Sequence, residues 1–176
     1  MSSWPARFGV HSGERPSFAA IAEEHLDAVY RYLLLMTRDR TTAEDLTGAT
    51  FEKAFRSWRR FDPRRAQPRT WLCQIARNAA LDHFRAEERR RRRETRYAVE
   101  VPEEGEGGLG EGLSAPLEAA LGELSAAERE VVALRVLLEL DGSTAARVLG
   151  ISPTACSTRL SRALQKLEEK VRDHGR

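Results

Sequence analysis

The sequence contains few of the residues that build metal centres, disulfide frameworks and catalytic sites. Its 176 residues include two cysteines and four histidines. Cys73 and Cys156 are far apart and neither has a CxxC partner, so zinc-type spacing and a disulfide framework are excluded. Both cysteines are expected to be small buried side chains. The histidines have no ligand spacing, and no nucleophile–base pair or glycine-rich phosphate loop is recognisable. We therefore expect no metal, no cofactor and no catalytic residues, and an enzyme is the least favoured class.

Long apolar runs are absent as well. No stretch approaches the roughly 20 apolar residues that a membrane-spanning helix needs, and the N-terminus has no signal-peptide h-region. The sequence accordingly predicts a soluble, cytoplasmic protein with no membrane partner and no small-molecule substrate. Its length suits one large domain or two small ones.

Positive charge is missing from one long stretch of the chain. The net charge of +2 conceals the fact that residues 97–127 contain no Lys or Arg. Positive charge is therefore concentrated on either side, a distribution expected for nucleic-acid contact. The glycine-rich acidic segment Val101–Ala115 cannot bury enough apolar surface to fold alone. The predicted organisation is a mobile leader, a helical domain, a flexible acidic linker and a second helical domain, at residues 1–16, 17–96, 97–115 and 116–176.

Three helices are predicted before the linker. Ser17 is a suitable N-cap for a helix that ends near Thr37. Thr42 followed by Asp45 resembles a capping box for a helix from Ala43 to about Trp58. The third helix, from Arg69 to Arg96, is apolar on one face at its start and carries five consecutive arginines, 89–93, near its end. Its core-facing stripe comprises Leu72, Ile75, Ala76 and Ala79.

Aromatic and arginine side chains lie close together around the loop Phe61–Pro68, before the third helix. Trp58, Phe61 and Trp71 are neighbours of the loop arginines in the sequence. Aromatic rings beside guanidinium groups are suited to holding the unstacked bases of a single strand. The alternative is that the tryptophans only close a small helical core.

The segment after the linker has a helix-turn-helix pattern. A short helix is predicted from Pro116 to about Leu124, and Ser125 with Glu128 forms a capping box for the next helix. Asp141 caps a third helix that ends at Gly150, and the motif Ser152-Pro153 starts the last one. Two helices joined by a three-residue turn that contains glycine are typical of a DNA-binding helix-turn-helix.

The last helix is predicted to have an apolar and a basic face. At about 100° per residue, Leu160, Leu164, Leu167 and Val171 fall on one stripe, which we assign to the core. A second stripe lies on the opposite side and comprises Ala155, Thr158, Arg159, Arg162 and Lys166. Small residues let a helix enter the major groove, where Arg binds guanine edges or phosphates. A solvated basic face is the alternative.

Two sets of motifs, in this order along the chain, resemble a known family. The first set is Ala43-Glu44-Asp45-Leu46, Arg69-Thr70-Trp71-Leu72, Ile75-Ala76-Arg77-Asn78 and Asp82-His83-Phe84-Arg85. The second is Leu124-Ser125, Glu128-Arg129-Glu130-Val131, Leu149-Gly150-Ile151-Ser152 and Arg159-Leu160-Ser161-Arg162-Ala163-Leu164. They resemble regions 2 and 4 of bacterial RNA polymerase sigma factors of the extracytoplasmic-function (ECF) group, within the sigma-70 family. The resemblance covers about Phe18 to Val171.

The resemblance implies an all-α protein that binds core RNA polymerase and promoter DNA and is held, in many relatives, by an anti-sigma factor. It implies promoter-specific initiation by −35 major-groove readout and −10 melting. The implied −35 residues are Thr144, Thr154, Ala155, Ser157, Thr158, Arg159, Arg162 and Lys166. The implied −10 residues are Trp58, Arg60, Phe61, Arg64, Arg65, Arg69, Trp71, Arg77, Asn78, Asp82 and Arg85. The implied polymerase-binding residues are Asp45, Leu46, Phe51, Lys53 and Phe55.

Three positions depart from the family pattern. The family usually has Gln at the position of Gly48 and an acidic residue at that of Thr144, and Ser157 stands where it usually has Lys. We expect these departures to alter the polymerase contact and the −35 preference. Two other readings stay open: a helix-turn-helix regulator that binds DNA without polymerase, and a sigma-like adaptor that does not support initiation.

Overall fold

The computed structural model describes residues 17–94 and 114–174 of the chain. The predicted leader and nearly all of the predicted acidic linker lie outside these residues. Within them there are seven α-helices and no β-strand, which confirms the predicted all-α class. The helices are α1 (Phe18–Thr37), α2 (Arg40–Ser57), α3 (Pro68–Glu94), α4 (Ala115–Gly122), α5 (Ala126–Val132), α6 (Gly142–Leu149) and α7 (Pro153–His174).

The start of α1 agrees with the prediction and the start of α2 does not. Ser17 caps α1, accepting a hydrogen bond from the Ala20 amide at 3.2 Å. The cap of α2 is Asp39, whose carboxylate accepts from the Thr42 amide at 2.7 Å. The predicted Thr42 capping box and the start at Ala43 are therefore wrong. An ionised aspartate is favoured because the helix N-terminus attracts negative charge, and the hydrogen bond to Thr42 lowers the pKa of Asp39.

Helix α3 begins one residue before the predicted Arg69, and the predicted end at Arg96 lies outside the described residues. Leu72 and Ala76 of the predicted stripe are fully buried, whereas Ile75 and Ala79 are half-buried. Cys73 is buried as expected, and burial raises the pKa of its thiol to about 12. The arginine-rich end of α3 is exposed.

The predicted caps of the second half are confirmed. Ser125 and Glu128 form a capping box at α5. Asp141 accepts from the Thr144 amide at the start of α6, and Gly150 ends that helix with φ +69°, in the left-handed region that favours glycine. Between α5 and α6 the chain makes one π-helical turn, Ala133–Leu137, which the sequence did not predict.

The buried stripe of α7 differs from the predicted one. Leu167 is buried and Leu160 and Val171 are half-buried, but Leu164 is 44% exposed. Cys156 and Ala163, two small side chains, are almost fully buried instead. Leu164 lies about 60° around the helix from Leu167, at the edge of the buried face, which explains the error.

The two halves share one continuous core. Helices α2 and α3 pack on α1, while α4, α5 and α6 pack on α7. The π-helical turn and α5 also pack on α1, so Tyr32 of the first half and Leu134 of the second belong to the same apolar cluster. None of the described helices combines the length and the apolar character that spanning a membrane requires.

Gly48 is an exposed glycine in the middle of α2, and a Cβ added there meets no atom within 4 Å. Glycine in a helix interior costs conformational entropy without a compensating contact at this site. We expect Gly48→Ala to raise the free energy of unfolding by about 0.5–1 kcal/mol in urea titrations. The matched control is Ala49→Gly at the neighbouring exposed position, which should lower stability by a similar amount. A destabilised Gly48→Ala variant would contradict this explanation.

Candidate nucleic-acid interface

The first half of α7 lines an open groove of about 580 Å³ on the second half. Ser152 accepts from the Ala155 amide at 3.1 Å and so starts the helix at the groove floor. Of the predicted −35 residues, the groove contains Thr154, Ala155, Thr158, Arg159 and Arg162. Ser157 is exposed on the same helix. Small side chains at the helix start leave room for a base-pair edge, and two arginines stand one turn further along.

Lys166 is engaged within the protein. Its Nζ lies 2.5 Å from Oε1 of Glu128, the capping residue of α5. The ammonium charge is therefore partly neutralised, and Lys166 presents less positive charge to DNA than the sequence alone predicts. Its assignment to the −35 set stays a prediction.

The Glu128 carboxylate should make stability depend on acid pH. The hydrogen bond from Lys166 and those from Ser125 lower the pKa of Glu128 from 4.5 to about 2. A carboxylate whose pKa is lower in the folded than in the unfolded protein stabilises the fold at pH values above its unfolded-state pKa. This stabilisation is lost as the pH falls and the carboxylate is protonated. We expect Glu128→Gln to be less stable than wild type near neutral pH, and the difference to shrink as the pH falls from about 5 to about 2.

Urea titrations of both proteins across this range measure the difference. Lys166→Met removes the largest cause of the pKa shift, so Glu128→Gln should lower the free energy of unfolding less in a Lys166→Met protein than in wild type. A wild-type advantage that stays constant down to the lowest pH would contradict the assignment.

Thr144 does not lie in the recognition groove. It lines a second cleft, of about 430 Å³, between α6 and the loop that precedes α3. Its hydroxyl accepts from Arg147 at 3.1 Å, and the cleft also contains Arg64, Arg65 and Arg69 of the first half. Arg147 is a basic residue near the predicted interface to which the sequence pattern assigned no role.

The predicted −10 aromatic residues form a packed cluster. Phe61 is buried, and its ring stacks on Trp58 at 5.0 Å with 9° between the planes. Trp71 lies 4.8 Å from Phe61 on another side, and Phe18 of α1 contacts Trp58. This arrangement favours the alternative that the aromatic residues close a small core. Trp58 and Trp71 are half-buried, so part of each side chain remains accessible to a base.

The loop before α3 presents its arginines to solvent. Asp62 accepts from the Arg64 amide at 2.9 Å, and its carbonyl accepts from Arg65, which fixes a turn. Arg60 before the turn and Arg64 and Arg65 within it are exposed. Further along α3, Asn78 is exposed, and Asp82 and Arg85 form an exposed pair 3.2 Å apart.

Arg77 and Arg69, by contrast, contact the second half of the chain. The Arg77 Nε donates to Oε1 of Glu130 in α5 at 2.7 Å, and the Tyr32 hydroxyl donates to the same oxygen at 3.4 Å. The Arg69 Nη1 lies 3.8 Å from Oε2 of Glu139. Burial and the Glu130 charge hold the pKa of Tyr32 well above its usual value, so its hydroxyl stays protonated as a donor.

The sequence pattern assigned Glu130 no function, although its position on the helix indicated that it would be buried. It precedes Leu134 by one helical turn and therefore lies on the core-facing side of α5. A carboxylate on an apolar face needs a buried partner. That partner is 53 residues away along the chain, so the sequence could not identify it.

The predicted polymerase-binding residues all lie on α2. Asp45 and Lys53 are exposed, Leu46 and Phe51 are half-buried, and Phe55 is 64% exposed. Phe55 is among the exposed large apolar side chains of the described residues and lies 5.3 Å from Phe18. An exposed aromatic ring beside charged groups is suited to a protein contact.

Comparisons with known proteins bear on both halves. The Sigma-70 region 2 family matches residues 21–90, and the Sigma-70 region 4 family matches residues 114–167. The ECF RNA polymerase sigma factor SigM of Bacillus subtilis is 30% identical over 158 residues, which cover 84% of this chain and 91% of SigM. The chain belongs to the ECF sigma factors. The ECF sigma factor BldN of Streptomyces coelicolor is 34% identical over 169 residues, but the match spans only 64% of BldN.

Two solved structures share the architecture of this ECF family member. The sigma factor RpoE of Bartonella quintana, in complex with the anti-sigma factor NepR, matches 88% of this chain and 96% of its own with a TM-score of 0.69 and 25% identity. CnrH, in complex with the cytosolic domain of CnrY, covers 86% of this chain and 85% of its own with a TM-score of 0.62 and 26% identity. Each match covers more than 85% of the chain and therefore extends over both halves.

Proposed function

We propose that this protein binds core RNA polymerase and directs promoter-specific initiation of transcription. The observation that carries the proposal is the recognition groove of α7. The same chain also contains a first half that matches the Sigma-70 region 2 family. Residues 116–176 would read the −35 element in the major groove, with Arg159 and Arg162 as the principal contacts to base edges or phosphates. Residues 17–96 would bind polymerase and open the −10 element.

Opening the −10 element requires no chemistry from the protein. Binding of the unstacked strand offsets the unstacking of a base, which costs on the order of a few kcal/mol. The exposed loop arginines Arg64 and Arg65 would follow the phosphates, and Trp58 and Trp71 would offer ring edges to a base. The protein would thus act without a catalytic residue, as a binding factor rather than an enzyme.

Two protein partners follow from this proposal. Core polymerase would dock on α2 around Phe55, whose ring is exposed, and Asp45 and Lys53 present charges elsewhere on the same helix. An anti-sigma factor is the second, because the similar sigma factor RpoE was solved in a complex with the anti-sigma factor NepR. A factor that acts on polymerase and promoter DNA works where the chromosome is, so a cytoplasmic location belongs to the same proposal.

Run-off transcription tests the function directly. Purified core polymerase is given genomic DNA fragments with and without the full chain, and new transcripts are mapped. Start sites that depend on the protein, preceded by a shared −35 and −10 motif, would support the proposal. Polymerase binding without initiation would indicate an adaptor. Duplex binding without polymerase binding would indicate a helix-turn-helix regulator, and either result would overturn the proposal.

A further inference from the structure

The closed arrangement of the two halves is incompatible with reading both promoter elements at once. A compact chain of this length has a radius of gyration of about 16 Å, which corresponds to roughly 40 Å across. The −35 and −10 elements are about 25 base pairs apart, or roughly 85 Å along B-form DNA. Residues 95–113 can span up to about 70 Å when extended, so covalent geometry allows the halves to separate. The contacts between the halves must therefore break before a promoter is bound.

Glu130 makes a short, well-shielded polar contact between the halves. Its carboxylate is 10% exposed and lies 2.7 Å from Arg77, whose side chain is 20% exposed. Two further polar contacts between the halves have less favourable geometry: Arg69 lies 3.8 Å from Glu139, and Arg38 lies 3.5 Å from the Gly122 carbonyl. A charged hydrogen bond shielded from water is stronger than such exposed or long contacts.

Arg77, the side chain that Glu130 binds, belongs to the predicted −10 surface. Arg77 lies on α3 one residue before the exposed Asn78, within the motif that the −10 assignment rests on. A carboxylate and a DNA phosphate offer a guanidinium the same kind of acceptor oxygens. Glu130 is thus placed where a phosphate could otherwise bind.

We propose that Glu130 is an internal competitor of promoter DNA, whose carboxylate holds Arg77 and keeps the two halves closed until polymerase and DNA separate them. Tyr32 positions the carboxylate by donating to the same oxygen. The net contribution of such a pair is modest because both charges regain water on opening. Because the pair contributes only modestly to the free energy of the closed arrangement, the halves can separate and close again. This proposal rests on the proposed function of the −10 surface.

Distances between labels on the free chain test the closure without polymerase. Thr41→Cys on α2 and Ser161→Cys on α7 are exposed positions, whereas native Cys73 and Cys156 are buried and would take up label poorly. Spin labels at the two sites give the inter-half distance distribution. We expect Glu130→Gln to increase the ratio of open to closed molecules about tenfold, because a neutral amide replaces the charged acceptor.

The matched control is Glu168→Gln, which removes the same charge from an exposed pair with Arg172 in the same half. It should leave the distribution unchanged. Tyr32→Phe keeps the buried ring but removes the donor, and should shift the distribution in the same direction by a smaller factor. This second variant tests the closure if Glu130→Gln lowers the melting temperature of the chain. Unchanged distances in both Glu130→Gln and Tyr32→Phe, or equal opening in Glu168→Gln, would overturn the proposal.

Transcription separates this proposal from the function it rests on. With limiting polymerase, Glu130→Gln should form open complexes several-fold faster than wild type and Glu168→Gln. A distance change without a faster rate would overturn the competition with DNA. If no form of the chain yields transcripts, the proposed function fails, and the label distances still decide whether Glu130 closes the chain.

Discussion

Replacing Leu167 by Ala should destabilise the protein far more than the same change at Leu164, one turn earlier on the same helix. Leu167 is 8% exposed and belongs to the core, whereas Leu164 is 44% exposed. Truncating a buried leucine removes its transfer free energy and leaves a cavity, so we expect Leu167→Ala to lower the free energy of unfolding by about 2–5 kcal/mol. Leu164→Ala should cost less than about 1 kcal/mol.

Urea unfolding followed by circular dichroism measures both variants under one condition. The pair is matched in residue type and helix, so helix propensity cancels and only burial differs. An equal decrease in the free energy of unfolding in the two variants would support the predicted stripe, in which Leu164 belongs to the core, and would contradict the observed packing. A single transition in the Leu167→Ala titration would further show that the shared core couples the halves.

The sequence predicts most of the local structure because helix ends depend on nearby residues. Ser17, Ser125, Asp141 and Gly150 cap or end helices as expected, since each acts within four residues of its own position. The error at α2 arose because Asp39 and Thr42 are rival caps only three residues apart. Local rules cannot rank two such candidates when both have a polar side chain at a suitable spacing.

Packing between distant segments is the part that the sequence did not reveal. Cys156 is buried, as its residue type predicted, but Ala163 is buried because the neighbouring helices approach α7 closely, and its small side chain carries little hydrophobic signal beside the leucines. The pairing of Glu130 with Arg77 depends on how the two halves meet. The aromatic cluster around Phe61 is similar, because the sequence shows that rings are near one another without showing which faces are covered.

The recognition groove was the most predictable part of the site. A capped turn and the 100° rotation per residue place Thr158, Arg159 and Arg162 on the face opposite the core, and all three line the observed groove. Lys166 was predicted on the same face, but its contact with Glu128 depends on where α5 begins relative to α7. The basic character of the face is therefore predictable from sequence, whereas the number of charges available to DNA is not.

Arg159→Ala should weaken −35 recognition and relax its sequence preference. Arg159 is half-buried and lines the groove that a base-pair edge would enter. Loss of a bidentate arginine–guanine contact costs about 1–3 kcal/mol, or roughly 5- to 150-fold in affinity. We expect this loss for polymerase holoenzyme on a matched promoter, measured by competition against a promoter with a scrambled −35 element.

Arg172→Ala is the control, because Arg172 is exposed near the end of the same helix, paired with Glu168 and outside the groove. It should change binding to both promoters little. If Arg159 reads a base, its removal should weaken the matched promoter and leave the scrambled one almost unaffected. An equal loss on both promoters, with a weaker dependence on salt, would assign Arg159 to a phosphate. Base readout would then fall to Arg162 and the small side chains at the start of α7. No lysine shares that task, because Ser157 stands at the position where the family usually has Lys.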